Sequence, residues 1–176
     1  PRPPAVPTRP GGAARLPAGP PRRRQSGLLR DVPTWLVGSD STPCGPAFVP
    51  PPPDHVLPLL EDLCDFCNTD QLPPIAQAAV AHAQFETIHP FYDGNGRTGR
   101  IVNVLYLVKE GLLDSPVLYL SRAIVRTKSD YYRLLQIVRE QDTWAECVLS
   151  LLAAIDRTAI QSTATLPAIK PSPMDS

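Results

Sequence analysis

Net charge is the first thing this sequence lacks. Its 17 Lys and Arg side chains cancel 17 Asp and Glu, so no global field draws it to nucleic acid, and none is expected as a partner. Apolar runs are short and interrupted, and no membrane partner is expected. No secretory n-region and h-region opens the chain, so a cytoplasmic location is expected. The chain starts at Pro1 rather than Met, and further upstream sequence is an expectation too. Cysteine is scarce: Cys44, Cys64, Cys67 and Cys147. Cys64 and Cys67 form a C-x-x-C, but a second pair at zinc-finger spacing is absent. Their i,i+3 placement on an amphipathic helix predicts buried free thiols on a core face. No acid precedes Asp31, and residues 1–30 show no apolar periodicity. They read as a loosely ordered Pro/Arg-rich arm, a solvated linker more than a nucleic-acid contact despite Arg22, Arg23 and Arg24.

From residue 31 on, the pattern changes. Trp35–Val37 and Ala47–Val49 flank a centre of Gly, Ser, Asp and Pro, which predicts a hairpin over about 32–49. Pro50–Pro53 then give way to helical spacing. Asp54 is the expected N-cap, with Val56, Leu60, Leu63, Cys64 and Cys67 on one face. A second helix is predicted from Pro73-Pro74 to the loop at His89. A third shows Ile101, Val104, Leu105 and Val108 and stops near Gly111. Ser121 is the expected N-cap of a short helix. Ser129 or Asp130 begins the next, with Tyr132, Leu135 and Val138 on one face. The last runs from about Thr143 to Ile160, apolar at Cys147, Val148, Leu151, Leu152 and Ile155. Residues 161–176 read as a loose tail. No internal repeat is visible. The fold class is all-α, a compact helical domain over 31–160 with one small hairpin.

The chemistry is concentrated in residues 89–100, His-Pro-Phe-Tyr-Asp-Gly-Asn-Gly-Arg-Thr-Gly-Arg. Glycines at 94 and 96 let the backbone turn tightly and form an anion-holding nest. The nest opens a helix, where unpaired N–H groups and the dipole favour phosphate. Arg97 and Arg100 lie three apart on one face and can bind a polyphosphate with paired bonds. Asp93 is a hard oxygen ligand suited to Mg2+. His89 can remove a proton near neutral pH.

This stretch resembles the Fic-family pattern His-x-Phe-x-(Asp/Glu)-Gly-Asn-Gly-Arg-x-x-Arg, within the Fic/Doc superfamily. The resemblance extends over about 25–160. It includes Trp35-Leu36-Val37-Gly38-Ser39, Phe48-Val49-Pro50-Pro51-Pro52-Pro53 and Ala81–Ile88. It also takes in Pro116–Ser121 and Tyr131-Tyr132-x-x-Leu135. It implies the Fic fold, with the hairpin as a flap over the active site, along which a target protein's Ser, Thr or Tyr hydroxyl docks. It implies a protein adenylyltransferase that moves AMP from ATP to that hydroxyl. His89 is then the base and Asp93 the Mg2+ ligand. Gly94, Gly96 and the Asn95 amide cradle phosphate, and Arg97 and Arg100 hold its outer oxygens.

The same residues allow different chemistry. His82, Glu86 and His89 align at i, i+4 and i+7 and offer a metal face. They are not H-E-x-x-H, so His82 is read as a core histidine and Glu86 as a local cap or pair. A kinase-like relative carries Lys where Gly96 stands here. An idle interaction module, an enzyme transferring a different phosphate-containing group, and one removing AMP are also compatible with the motif. Many Fic proteins also carry an inhibitory (Ser/Thr)-x-x-x-Glu-(Gly/Asn) helix whose glutamate pairs with the residue equivalent to Arg100. None of Glu61, Glu86, Glu110, Glu140 and Glu146 has Ser or Thr four residues earlier, although Glu110-Gly111 comes closest. A free Arg100 is therefore expected, with the inhibitory helix upstream or on a partner protein.

Overall fold

Prolines start the first two helices, because a helix's first turn needs no N–H from its opening residues. The structure, a computed structural model, describes residues 27–34, 48–116, 118, 120, 121, 124 and 127–165. Helix α1 is Pro53–Cys67 and α2 is Pro74–Ile88. Helix α3 is Asn95–Lys109, α4 is Lys128–Gln141 and α5 is Trp144–Thr165. Leu120, Ser121 and Ile124 are helical between α3 and α4. The only bridge among the described residues outside these helices that has both partners described pairs Leu29 with Phe91. The hairpin expected at 32–49 lies mostly outside the described residues, as does Cys44. No helix among the described residues is long and apolar enough to cross a membrane.

Helix α2 is the centre. It packs against α1, α3, α4 and α5, and every residue from Gln77 to Ile88 is buried. A helix buried all round needs small or satisfied side chains on every face. Ala78, Ala79, Ala81 and Ala83 supply the first kind. Gln77 supplies the second, donating through Nε2 to the carbonyls of Phe66 and Thr69 at 2.7 Å each. His82 is a core histidine as expected: its Nε2 stands 2.9 Å from the Tyr131 hydroxyl.

Several helix faces and ends differ from what local patterns predict. Helix α1 starts at Pro53 behind Pro52, so Asp54 is a first-turn residue and not the cap. Its buried stripe is Val56, Leu59, Leu63 and Phe66. Cys64 is exposed and Cys67 half-buried, which corrects the expectation of two core thiols. Phe66 outweighs a thiol in apolar area, and choosing it inward turns Cys64 out. Helix α3 is rotated in the same way. It buries Asn95, Gly99, Asn103, Val104, Tyr106 and Leu107, while Ile101 and Leu105 face out. The cause is Gly99. A Cβ there would stand 2.9 Å from Glu86 Oε1 and 3.0 Å from Phe85 Cδ1. Close approach of α2 and α3 thus requires the glycine edge inward, and the positions three or four residues apart on that edge follow it. In α4, Tyr131 and Leu134 are inward with Leu135 and Val138, and Tyr132 is exposed. Helix α5 continues to Thr165, so the helix takes in residues 161–165, which read as part of the loose tail.

The tight Gly99 contact makes a prediction. Gly99→Ala gains about 1 kcal/mol of helix propensity but meets overpacking that costs about 1–3 kcal/mol. The expected result is a net loss of stability, read as a lower denaturant midpoint at unchanged slope. A higher midpoint would show that the α2–α3 seam has slack.

Candidate active site

The site is built where α2 ends and α3 begins. His89 caps α2 in the left-handed region, with φ 49° and ψ 59°. That conformation costs a non-glycine residue about 1–2 kcal/mol, so surrounding bonds must hold it. The His89 N–H donates to the Phe85 carbonyl at 3.0 Å. Arg30 Nε donates to the His89 carbonyl at 2.8 Å. The imidazole is half-buried, and its Nδ1 is buried without a well-formed hydrogen bond. Burial draws the ring down to about 4 from its ordinary 6.5; the Glu86 main chain opposes this, and Arg139 and Arg30 add to it. The ring is therefore neutral at pH 7, which leaves it free to accept a proton.

The loop after His89 is closed by Asn95. Its Oδ1 accepts the Phe91 N–H, and its Nδ2 donates to the Phe91 carbonyl, both at 2.8 Å. The side chain is almost fully buried. Its carboxamide is thus spent on the loop, and what Asn95 offers a ligand is its main-chain N–H. Gly94 is the N-cap of α3 at φ 84°, with no side-chain cap bond. The first N–H bonded along α3 is that of Thr98, to the Gly94 carbonyl at 2.9 Å. The N–H groups of Asn95, Gly96 and Arg97 have no acceptor within the helix, an arrangement able to hold an anion at its first turn.

Asp93 stands at the rim. Its Oδ1 accepts the Gly94 N–H at 2.8 Å, and its Oδ2 lies 3.7 Å from Arg97 Nη2. No three His, Cys, Asp or Glu side chains among the described residues gather into a metal cage. A lone exposed carboxylate beside an anion nest suits Mg2+, which takes one or two carboxylates and fills its other positions with phosphate oxygens and water. Arg100 donates from Nε to the Ser121 hydroxyl at 2.8 Å. No carboxylate among the described residues lies within ion-pair distance of it. The cleft here holds about 300 Å3 and combines Arg97 and Arg100 with apolar walls from Ile101, Leu105 and Leu118.

Four further groups support the site, and none is given a role there by the sequence. Arg30, which falls in the apparent loose arm, is buried. It donates from Nη2 to the carbonyls of Pro51 and Ile88 as well as from Nε to His89. Its sole local signal is the change from a Pro/Arg-rich run to Leu28-Leu29 before the first acid, Asp31. Arg139 donates to the Thr87 hydroxyl at 3.1 Å and the Glu86 carbonyl at 3.2 Å, and lies 3.7 Å over the Phe48 ring. Ser121 holds Arg100. Tyr92, at a variable position of the motif, bonds Asp31 through its hydroxyl.

The sequence profile of the Fic/DOC family matches residues 16–107. A protein adenylyltransferase of Caenorhabditis briggsae is 36% identical over 98 residues, covering 54% of this chain and 18% of that protein. A probable protein adenylyltransferase of Aquifex aeolicus is 38% identical over 85 residues, 48% of this chain and 27% of its own length. The crystal structure of a Fic family protein from Desulfovibrio desulfuricans superposes with a TM-score of 0.69 at 28% identity, over 84% of this chain and 43% of that one. The matched part is therefore a fraction of each relative. The motif at 89–100, the helical architecture around it and the family profile agree, and the chain belongs to the Fic/DOC family.

Proposed function

We propose that this chain is a protein adenylyltransferase, moving AMP from ATP to a Ser, Thr or Tyr hydroxyl of a target protein. The observation that carries the reading is the junction of α2 and α3. A neutral imidazole and an uncapped helix N-terminus meet there, and Arg97 and Arg100, on the first turns of the same helix, line a cleft. Relatives named as protein adenylyltransferases support it.

In this reading the triphosphate lies on the N–H groups of Asn95, Gly96 and Arg97, with Arg97 and Arg100 on its outer oxygens. That grip aligns the α-phosphorus with the incoming hydroxyl. His89 takes the hydroxyl proton as the new P–O bond forms and the bond to pyrophosphate breaks. Mg2+, held by Asp93, would neutralise charge growing on the leaving group. The target is positioned by main-chain pairing along the 32–49 segment, whose end at Phe48 is fixed on Arg139. The reaction belongs in the cytoplasm. Restraint comes from outside this chain, as an upstream segment or a partner protein whose glutamate takes Arg100. ATP affinity that is the same in this chain and in the longer protein would contradict that.

Gly96 bears on which phosphorus is attacked. A Cβ at 96 would stand 3.1 Å from Arg100 Nη1, so any side chain there displaces this guanidinium. With Gly96 in place the expected products with Mg2+ and ATP are an AMP-bearing protein and pyrophosphate. ADP with a phosphorylated protein would instead make the chain a kinase.

A further inference from the structure

Glu86 is the buried ionisable group that the reaction above leaves unused. It sits on α2 with only 6% of its surface exposed, and its Oε1 makes no hydrogen bond. The carboxyl is wedged beneath the first turns of α3. Oε1 would lie 2.9 Å from a Cβ on Gly99 and 3.7 Å from one on Gly96, and Arg100 Nη1 stands 3.1 Å from that same point at Gly96. Glu86 is thus packed beneath the first turns of α3, on which Arg100 lines the cleft.

We propose that Glu86 is the buried counter-charge of the phosphate site, a carboxyl that takes up a proton from solvent when a nucleoside triphosphate binds over Arg100. The inference rests on the phosphate site described under the proposed function. Its logic is Coulombic. A carboxylate under an anion site faces either a guanidinium alone or a guanidinium already shared with phosphate. Bringing a polyanion to the same few ångströms disfavours the ionised carboxyl. Burial already raises Glu86 to about 7, against the pull of Arg100 and Arg139. Both protonation states are therefore within reach near neutral pH. By linkage, a ligand that raises the carboxyl further binds more tightly as pH falls through that range, and the gain levels off once Glu86 is protonated in the free protein.

The neighbours leave Glu86 as the group that responds. On α2, burial holds His82 and His89 at about 4. On α4, burial puts Tyr131 well above its usual value and lowers Arg139 to about 10. Cys147 of α5, beyond Arg139, is raised to about 11 by burial. From α3, Arg100 faces it. None of His82, His89, Tyr131, Arg139 or Cys147 changes charge between pH 6 and 8.

Calorimetric titration of ATP with Mg2+ tests this in two buffers of different ionisation heat. At pH 8 the terminal phosphate of ATP is already ionised, so net proton uptake by the wild-type chain must come from the protein. Uptake is the expected result, and wild-type affinity should fall by about tenfold from pH 6 to 8 relative to Glu86→Gln. Glu86→Gln should bind more tightly than wild type at pH 8 and take up no proton there. Zero uptake by wild type at pH 8, equal pH slopes, or weaker binding by Glu86→Gln at every pH would each overturn the proposal. The last would make Glu86 a structural partner of the arginines. Wild-type uptake decides the matter even if the variant fails to fold. Absence of ATP binding by the wild type at any pH would overturn the phosphate-site reading itself, and this inference with it.

Discussion

Replacing His89 with Ala should lower AMP transfer by about 10²–10⁴-fold, the usual contribution of a positioned general base, while ATP affinity stays near wild type. The separation follows from what each part of His89 does. Its backbone is held by the Phe85 carbonyl on one side and Arg30 on the other, at 3.0 and 2.8 Å. Neither bond involves the imidazole, so the loop and the α3 N-terminus should keep their shape in the variant. On the proposed reading, the α3 N-terminus, Arg97 and Arg100 would bind phosphate without the ring. A loss of kcat with an unchanged ATP dissociation constant is the signature of a group acting only on the acceptor hydroxyl. Equal losses in ATP binding and in rate would mean that the ring supports the loop, and wild-type transfer would remove His89 from the reaction.

The largest expected effect on stability comes from Arg30. Its guanidinium is buried, and burial pulls it below its usual value, with Tyr92 opposing. Three carbonyls, of Pro51, Ile88 and His89, receive its protons. Arg30→Met keeps most of the apolar stem and removes all three bonds, leaving buried carbonyls that cost about 1–3 kcal/mol each when orphaned. The expected loss is on the order of 3–5 kcal/mol, a large share of the 5–15 kcal/mol typical of whole domains. Arg30→Lys should recover little, since one ammonium cannot reproduce a planar fork aimed at separate carbonyls. Chemical denaturation checks both variants. A midpoint for Arg30→Met equal to wild type would show that water replaces the guanidinium at no cost.

Arg30 also marks where the sequence is illegible. The stretch at 89–100 stands out as a candidate site because its mixture of His, Asp, Asn, Gly and Arg has no use in a plain helix. Local chemistry is enough: glycine turns, a helix start, two cations three apart. The helices themselves are legible from prolines, glycines and apolar spacing, and α2 and α3 fall close to their expected bounds. Which face of each helix turns inward is less legible. Ile101 and Leu105 look like core residues until Gly99 has to meet Phe85 and Glu86. That contact joins residues from two helices, and no local pattern carries it. Arg30 is the same problem at longer range. Its partners lie more than twenty positions away, and its neighbours in sequence resemble a solvated arm. Asn95 shows a subtler limit. Its place in the motif marks it as part of the phosphate turn, but its carboxamide is bonded to Phe91, so its side chain shapes the nest rather than lining it.

The reaction is tested most directly by incubating the protein with Mg2+ and ATP labelled at either the α- or the γ-phosphorus, with the His89→Ala variant as the blank. Label from the α-position should become covalently attached to protein, label from the γ-position should not, and the variant should carry neither. Attachment of the γ-label, or α-labelling that survives the loss of His89, would contradict AMP transfer by this site.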